Sequence, residues 1–419
     1  MMPSRIKNPG SVYAEGFHCV VLTNVGLEDL VCGEISGLVE DHRDISAFVG
    51  SGRVDFFSSS FCDLCLFAYK SQLASRVLVF LCGCSGHELD SFKKVVVDFL
   101  DGAGSRDFQD FLSGKSFAVR LKKEDGFDDV HAHEWERGVG EIVFKCASGR
   151  GAKVDLDSPD VTVLVHVSSA GCVFGIDLAG FDLSKRSYKI FQHTDSIKAT
   201  VAYSVLRFCG FSGGSVLIDV QTKSGTIPIE AAFFASGRSP RFFEKDRFSF
   251  VGFPVFKSHF SEDDFFLKAD SLHDFKGKIH AFDDNARNVK AAEKNAKIAG
   301  VNKLINFSRT DIEWIDTKFE KLSVDCIISN WQASSRFDDP AGKSKAKLLE
   351  DLFYSAAYVL KKDGVLALLA RKGSDFSSVA SKHGFIVYAV HPVVQGQELL
   401  DVILFKRADQ VKSSKKKKV

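Results

Sequence analysis

Long hydrophobic runs are missing from this 419-residue chain. No stretch of eighteen apolar residues occurs, so no membrane-spanning helix is expected. The first residues, MMPSRIKNPGSVYAEG, are polar and lack the apolar centre of a secretory signal. A cytoplasmic location is therefore expected. An excess of one charge is missing too, since 55 Lys and Arg stand against 54 Asp and Glu. Such a balance speaks against a nucleic-acid binder that works by charge alone. The balance is uneven, however: residues 1–190 hold 20 basic against 27 acidic residues, and the remainder 35 against 27. The terminal KSSKKKKV supplies five of those lysines. A run of that kind is expected to be a solvated tail that adds weak, salt-sensitive attraction to phosphate.

A disulfide framework is missing as well. The ten cysteines are scattered, and Cys146, Cys172, Cys209 and Cys326 lie in apolar runs, as reduced cytosolic thiols do. Cys62-x-x-Cys65 and Cys82-x-Cys84 have the number of thiolates a zinc site needs. The stretch FCDLCLFAYK, though, puts Cys62 and Cys65 on the inner face of a helix, so core packing is the expectation and no metal is predicted. His131-Ala-His133-Glu134 has a metal-like look, but it lies in a charged loop entering a helix. Capping or solvated histidines are expected there.

What is present is enough apolar sequence for real cores: 45% hydrophobic and 26% charged residues over a length that suggests two or three domains. In the first part, short strands alternate with helices. HCVVLTNV and GRVDFFS read as strands, as do 116–121, 161–168 and 172–178, which predicts a small α+β sheet region. LSKRSYKIFQHTDS (183–196) is polar and aperiodic and reads as a joint. From Ile197 the pattern changes to apolar strands, SVLIDV, KIHAFDD, LINFSRTD, VDCIISN and GVLALLAR, separated by helical stretches such as ARNVKAAEKNAKIAG. FIVYAVHPV and LLDVILFKRA close the series. That alternation predicts a doubly wound, Rossmann-like α/β domain, in which ligands lie outside the carboxyl ends of the strands.

Four polar residues follow those strands in order: Asp219, Asp283, Asp311 and Asn330. All four are expected on one rim of the sheet. Asp283 comes 64 residues after Asp219, far more than the roughly 20 of a dinucleotide fold. A nicotinamide cofactor is therefore a poor reading.

The stretches SGTIPIEAAFFASGRSPRFF, DDNARNVKAAEKNAKIAGV, SRTD and VDCIISN resemble successive motifs of the S-adenosylmethionine-dependent RNA methyltransferases that carry a THUMP domain. The archaeal branch, which modifies guanosine in tRNA, is the most similar. VDLDSPDVTVLVHV and GIDLAGFDLSKRSYK resemble the end of a THUMP domain, and HPVVQGQELLDVILFKR resembles the last hairpin of the methyltransferase. The resemblance covers nearly the whole chain. It implies a ferredoxin-like start (1–65), a THUMP RNA-binding domain (66–182), a linker (183–196), a Rossmann-like methyltransferase domain (197–408) and a lysine-rich tail (409–419). It also implies S-adenosylmethionine as cofactor and structured RNA, tRNA above all, as partner.

Carried over by position, the resemblance makes Asp219, Ser224, Gly225 and Thr226 the cofactor loop. Asp283 would take the ribose hydroxyls, with Asp284 able to share them, and Asp311 would meet the adenine edge. A carboxylate suits a vicinal diol because it accepts two hydrogen bonds. The family's loop, Asp-Pro-x-Cys-Gly-Ser-Gly-Thr, is altered here: Val220, Thr222 and Lys223 replace proline, cysteine and the first glycine. Lys223 puts a long cation beside a sulfonium, so its replacement by glycine is expected to strengthen binding. Pairing of Lys223 with the cofactor's carboxylate or with Asp219 stays open. The catalytic Asn/Asp-Pro-Pro-Tyr is here Asn330-Trp331-Gln332-Ala333. Asn330 remains as acceptor for the target amine, and Trp331 is a candidate to stack on the base. RFFEKDRFSF (241–250) interleaves basic and aromatic residues, as RNA contacts do. Three readings follow: an active methyltransferase, an impaired member that binds RNA or a partner, and a small-molecule methyltransferase. The THUMP-like part disfavours the last.

Overall fold

The computed structural model describes residues 16–102, 105–259, 261–331 and 345–410. Gln332, Ala333 and the lysine tail lie outside them. The chain divides into two compact units, Met1–Leu183 with Arg241–Ala269, and Ser184–Pro240 with Asp270–Val419.

The first unit carries β1 (Phe17–Leu22), α1 (Glu28–Leu38), β2 (His42–Phe48), β3 (Arg53–Ser58), α2 (Phe61–Lys70), β4 (Arg76–Cys84), α3 (Leu89–Asp101), α4 (Ser105–Leu112), β5 (Ser116–Lys123), α5 (Ala132–Ala147), β6 (Lys153–Val154), β7 (Val161–Ser168) and β8 (Gly171–Asp177). Its strands form one sheet in the order β2-β3-β1-β4-β8-β7-β5-β6. β4 joins the two ends of this sheet by pairing with β1 on one side and β8 on the other. Cys65 is fully buried inside α2, and burial pushes its thiol well above the usual range. Among the described residues no cluster of three or more His, Cys, Asp and Glu is arranged to hold a metal. His131 precedes α5 at its N-cap position without a side-chain capping bond.

The second unit begins with α6 (Ala199–Phe208), β9 (Val216–Asp219) and α7 (Thr226–Ser236). Residues 241–269, with α8 (Pro254–His259) and α9 (Glu262–Ala269), belong to the first unit. Most of the aromatic residues of this stretch are core: Phe248 and Phe250 are buried and make edge-on or tilted ring contacts with Phe256, Phe265, Phe266 and Tyr69. Arg241 is fully buried, donating to the carbonyls of Ser71 at 2.6 Å and Leu183 at 2.7 Å. Packing thus accounts for most of the interleaving, though Phe243 stays exposed.

The chain then continues through β10 (Lys278–Asp283), α10 (Ala286–Ala299), β11 (Ile305–Arg309), α11 (Ile315–Lys318), β12 (Val324–Asn330), α12 (Lys345–Val359), β13 (Leu360–Arg371), α13 (Ser377–Lys382), β14 (Phe385–Gln395) and β15 (Glu398–Arg407). The sheet order is β11-β10-β9-β12-β13-β15-β14. The first five strands are parallel and β15 runs against β13 and β14. Parallel strands have both faces covered and read as near-continuous apolar runs, as VLI does in β9 and CII in β12. The closing β14–β15 hairpin turns on two residues, the first of which, Gly396, has φ 63°, a left-handed value that glycine adopts without a Cβ clash. Asn285 caps α10 by accepting from the Arg287 amide at 2.9 Å, and Gly300 ends it with φ 72°. Among the described residues no helix is long and apolar enough to cross a membrane.

Candidate functional site

In the second sheet, β9 has β10 on one side and β12 on the other. Strand order reverses there, and the crevice outside the carboxyl ends is where open α/β sheets bind ligands. Asp219 ends β9, Asp283 ends β10 and Asn330 ends β12. Since these strands are parallel, the three residues share a rim.

The loop after β9 is tied to both neighbouring strands. The Val220 amide donates to the Ile328 carbonyl at 3.1 Å, and the Thr222 amide to the Phe282 carbonyl at 2.9 Å. The Ser329 hydroxyl donates to Gln221 at 2.8 Å. Gly225 then enters α7 with φ 81°. A Cβ there would meet the Ala292 Cβ at 2.8 Å, so only glycine lets the loop lie this close to α10. The Ser224 carbonyl accepts from the Asn295 amide at 2.8 Å. Thr226 opens α7, whose first-turn amides have no intrahelical partner. Pro228 in that first turn costs little for the same reason.

Charge is concentrated around this loop. Asp283 is buried, and its carboxylate accepts from the Asn285 amide at 3.0 Å, the Asn288 side chain at 2.9 Å and the Lys223 amide at 2.9 Å. A carboxylate offers about four acceptor positions, so most are already in use. Asp219 is 1% exposed, and among the described residues neither of its oxygens makes a hydrogen bond of good geometry. Burial pushes its carboxyl up to about 7, with the Asp283 charge adding to the rise; the nearby Thr222 hydroxyl, Lys223 cation and Gln221 amide oppose it. Orphaned buried acids are rare in native proteins.

Lys223 reaches across the crevice. Its Nζ donates to the Asn330 carbonyl at 3.1 Å and to Asp195 at 3.3 Å. Burial pulls the ammonium's pKa down, and Asp195, followed by Asp219 and Asp283, pushes back. The Asn330 side chain donates to the Asp195 carbonyl at 3.0 Å. The polar joint is thus anchored to the rim. Asn295 adds a second anchor by pairing with the backbone of Phe191 in both directions, at 3.0 and 2.9 Å. A third is the buried group in which Arg186 and Tyr188 both donate to Glu230 of α7.

Residues 186–399 match the family UPF0020, described as RMKL-like, methyltransferase domain. The chain belongs to this methyltransferase family. Residues 93–177 match the THUMP domain. The family member is 26% identical over 373 residues to the tRNA (guanine(6)-N2)-methyltransferase of Methanocaldococcus jannaschii, covering 88% of this chain and 94% of the relative. It is 32% identical over 214 residues to the Archaeoglobus fulgidus protein of the same description, covering 49% of this chain and 51% of that one. In fold it is similar to TrmN from Thermus thermophilus, with a TM-score of 0.66 at 21% identity over 93% of this chain and 99% of that one. It is also similar to SMU.472, described as a methyltransferase and complexed with SAH, with a TM-score of 0.71 at 19% identity over 94% and 98% of the two chains.

The methyl donor of this class is S-adenosylmethionine, and the crevice fits such a group. It has a buried acid without a good hydrogen bond at its base, beside the start of α7, where the Thr226 and Ile227 amides precede the first intrahelical bond. The structure brings Asp219, Ser224, Gly225, Thr226, Asp283 and Asn330 together. Asp284 and Asp311 are exposed at the same rim; the Asp284 carbonyl accepts from Arg309 at 2.8 Å. Trp331 does not offer the stacking face expected of it. It is 6% exposed and packs in the core with Ile218, Val220 and Leu352, because its amide continues the sheet by donating to the Leu369 carbonyl at 2.8 Å. Asp195 was missed by the sequence reading, since an aperiodic joint gives no positional signal. Its only mark was being an acid just before the first helix of the domain.

Proposed function

We propose that this protein is an S-adenosylmethionine-dependent methyltransferase that modifies the exocyclic amine of guanosine in tRNA, in the cytoplasm. The observation that carries the reading is Asn330 at the end of β12, on the same rim as the buried carboxyls of Asp219 at the end of β9 and Asp283 at the end of β10. The archaeal relatives named above support guanosine in tRNA, and the THUMP domain supports recognition of structured RNA.

When bound, the cofactor supplies an electrophilic methyl group on a sulfonium. Asp219, Ser224, Gly225 and Thr226 form the loop that holds it, through backbone amides and the helix start. Asp283, with Asp284 close by, would take the ribose hydroxyls, and Asp311 would accept from the adenine amine. Asp283 already holds three donors, so ribose binding uses its remaining acceptor position or exchanges the Lys223 amide. Asn330 does the positioning. Its amide nitrogen donates to the Asp195 carbonyl at 3.0 Å, which fixes which end of the side chain donates and makes the oxygen the end that would accept from a base amine. Holding that amine in line with the methyl group is the main contribution such a site makes.

The test is transfer of labelled methyl from S-adenosylmethionine to total tRNA. We expect incorporation by the wild type and a loss of about a hundredfold or more in Asn330→Ala, the scale set by misplacing a reactant by about 1 Å. A second reading, a member that binds RNA without turnover, draws on the Lys223 ammonium in the crevice and on the burial of Trp331. Tight tRNA binding with no incorporation would favour that reading and overturn the first.

A further inference from the structure

Lys223 stands where the loop needs a left-handed residue, with φ 51°. Glycine adopts that conformation freely and a lysine does not. The strain comes with a charge placed inside the crevice. The Lys223 side chain is 12% exposed and that of its partner Asp195 is 10% exposed. Its ammonium lies 3.1 Å from the carbonyl of Asn330, the residue proposed to hold the methyl-accepting amine. The ionisable groups around it are Asp195, Asp219, Asp283 and His193. Without Lys223 the carboxylates among them would make the crevice strongly attractive to a sulfonium.

We propose that Lys223 sets the charge preference of this site, shifting its selectivity from the cationic sulfonium donor towards the neutral thioether, S-adenosylhomocysteine. The inference rests on the crevice being a cofactor site. The two ligands share the adenosine and the amino acid and differ by the methyl group and one positive charge at sulfur. A second fixed cation in a crevice screened from water penalises only the charged member. Across several ångströms at an effective dielectric of about 20, one unit charge is worth on the order of ten- to a hundredfold in affinity. A lysine that gripped the ligands' common carboxylate would act differently, raising both affinities by the same factor.

The experiment is calorimetric titration of the full chain with S-adenosylmethionine and, separately, S-adenosylhomocysteine. It is run on the wild type, Lys223→Met, Lys223→Gly and Lys223→Arg. We expect the ratio of the two dissociation constants to shift towards S-adenosylmethionine by about tenfold or more in Lys223→Met and Lys223→Gly. Lys223→Arg keeps the charge and should keep the wild-type ratio. An unchanged ratio in the Met and Gly variants, or an equal weakening of both ligands, overturns the inference while leaving the cofactor site intact. Failure of the wild type to bind either ligand overturns the cofactor reading itself, and the inference with it.

Discussion

Asp219 is the residue whose environment departs furthest from ordinary solution chemistry in the crevice. Burial lifts its carboxyl from the usual 3.8 to about 7. A group that binds its proton more tightly in the folded state stabilises the fold most below its unfolded value, and that contribution is lost as the pH rises through the folded value. The relevant window runs from about pH 4 to about pH 7. Asp219→Asn removes the ionisation, so its stability relative to wild type should rise across the window, by at most about 4 kcal/mol. Urea unfolding of both proteins at either end of the window tests this, and a difference that did not vary with pH would contradict it. Residue by residue, the rim was legible in the sequence because each acid or amide closes an apolar run. The direction of Trp331 was not, because the residue after a strand either leaves the sheet or continues it. Only the Leu369 carbonyl decides between them. The partners of Lys223 were equally hidden, since Asp195 and Asn330 are remote from it in sequence.

At the level of elements, α7 explains why SGTIPIEAA was such a strong signal. It is apolar all round and almost wholly buried, as a helix enclosed on every side must be, yet Glu230 sits in its middle. The Arg186 guanidinium grips that carboxylate at 3.0 and 3.1 Å, and both side chains are fully buried. Removing one partner of a buried pair leaves an uncompensated charge and costs about 3–5 kcal/mol. Arg186→Met should lower thermal stability by that amount, and adding Glu230→Met should recover most of the loss. Chemical unfolding of the two variants beside wild type measures the coupling, and additive losses would contradict it. The strands of the second sheet were predicted nearly to the residue because their apolar runs leave little choice. β2 was not anticipated, since HRDISAF at the sheet's edge is mostly exposed or half-buried and carries no clear alternation. The membership of residues 241–269 in the first unit was also hidden, because phenylalanines without periodicity do not say which core they join.

For the whole molecule, the two units pair an RNA-binding type of domain with a methyltransferase fold, and net charge says little about either. The lysines of residues 412–419 are the densest positive segment in the sequence. Deleting them removes five charges and should weaken tRNA binding about evenly across sequences, with a shallower dependence on salt. Recognition of RNA shape by the THUMP domain should persist. Filter binding of several tRNAs over a salt series tests this, and an unchanged slope would contradict it. The most direct test of the account is nucleoside analysis, by mass spectrometry, of an unmodified tRNA transcript incubated with the full-length protein and S-adenosylmethionine. The account predicts one added methyl, on the exocyclic amine of a guanosine, absent with Asn330→Ala. A methyl on another base or atom, or none from a folded protein that binds the cofactor, would contradict it.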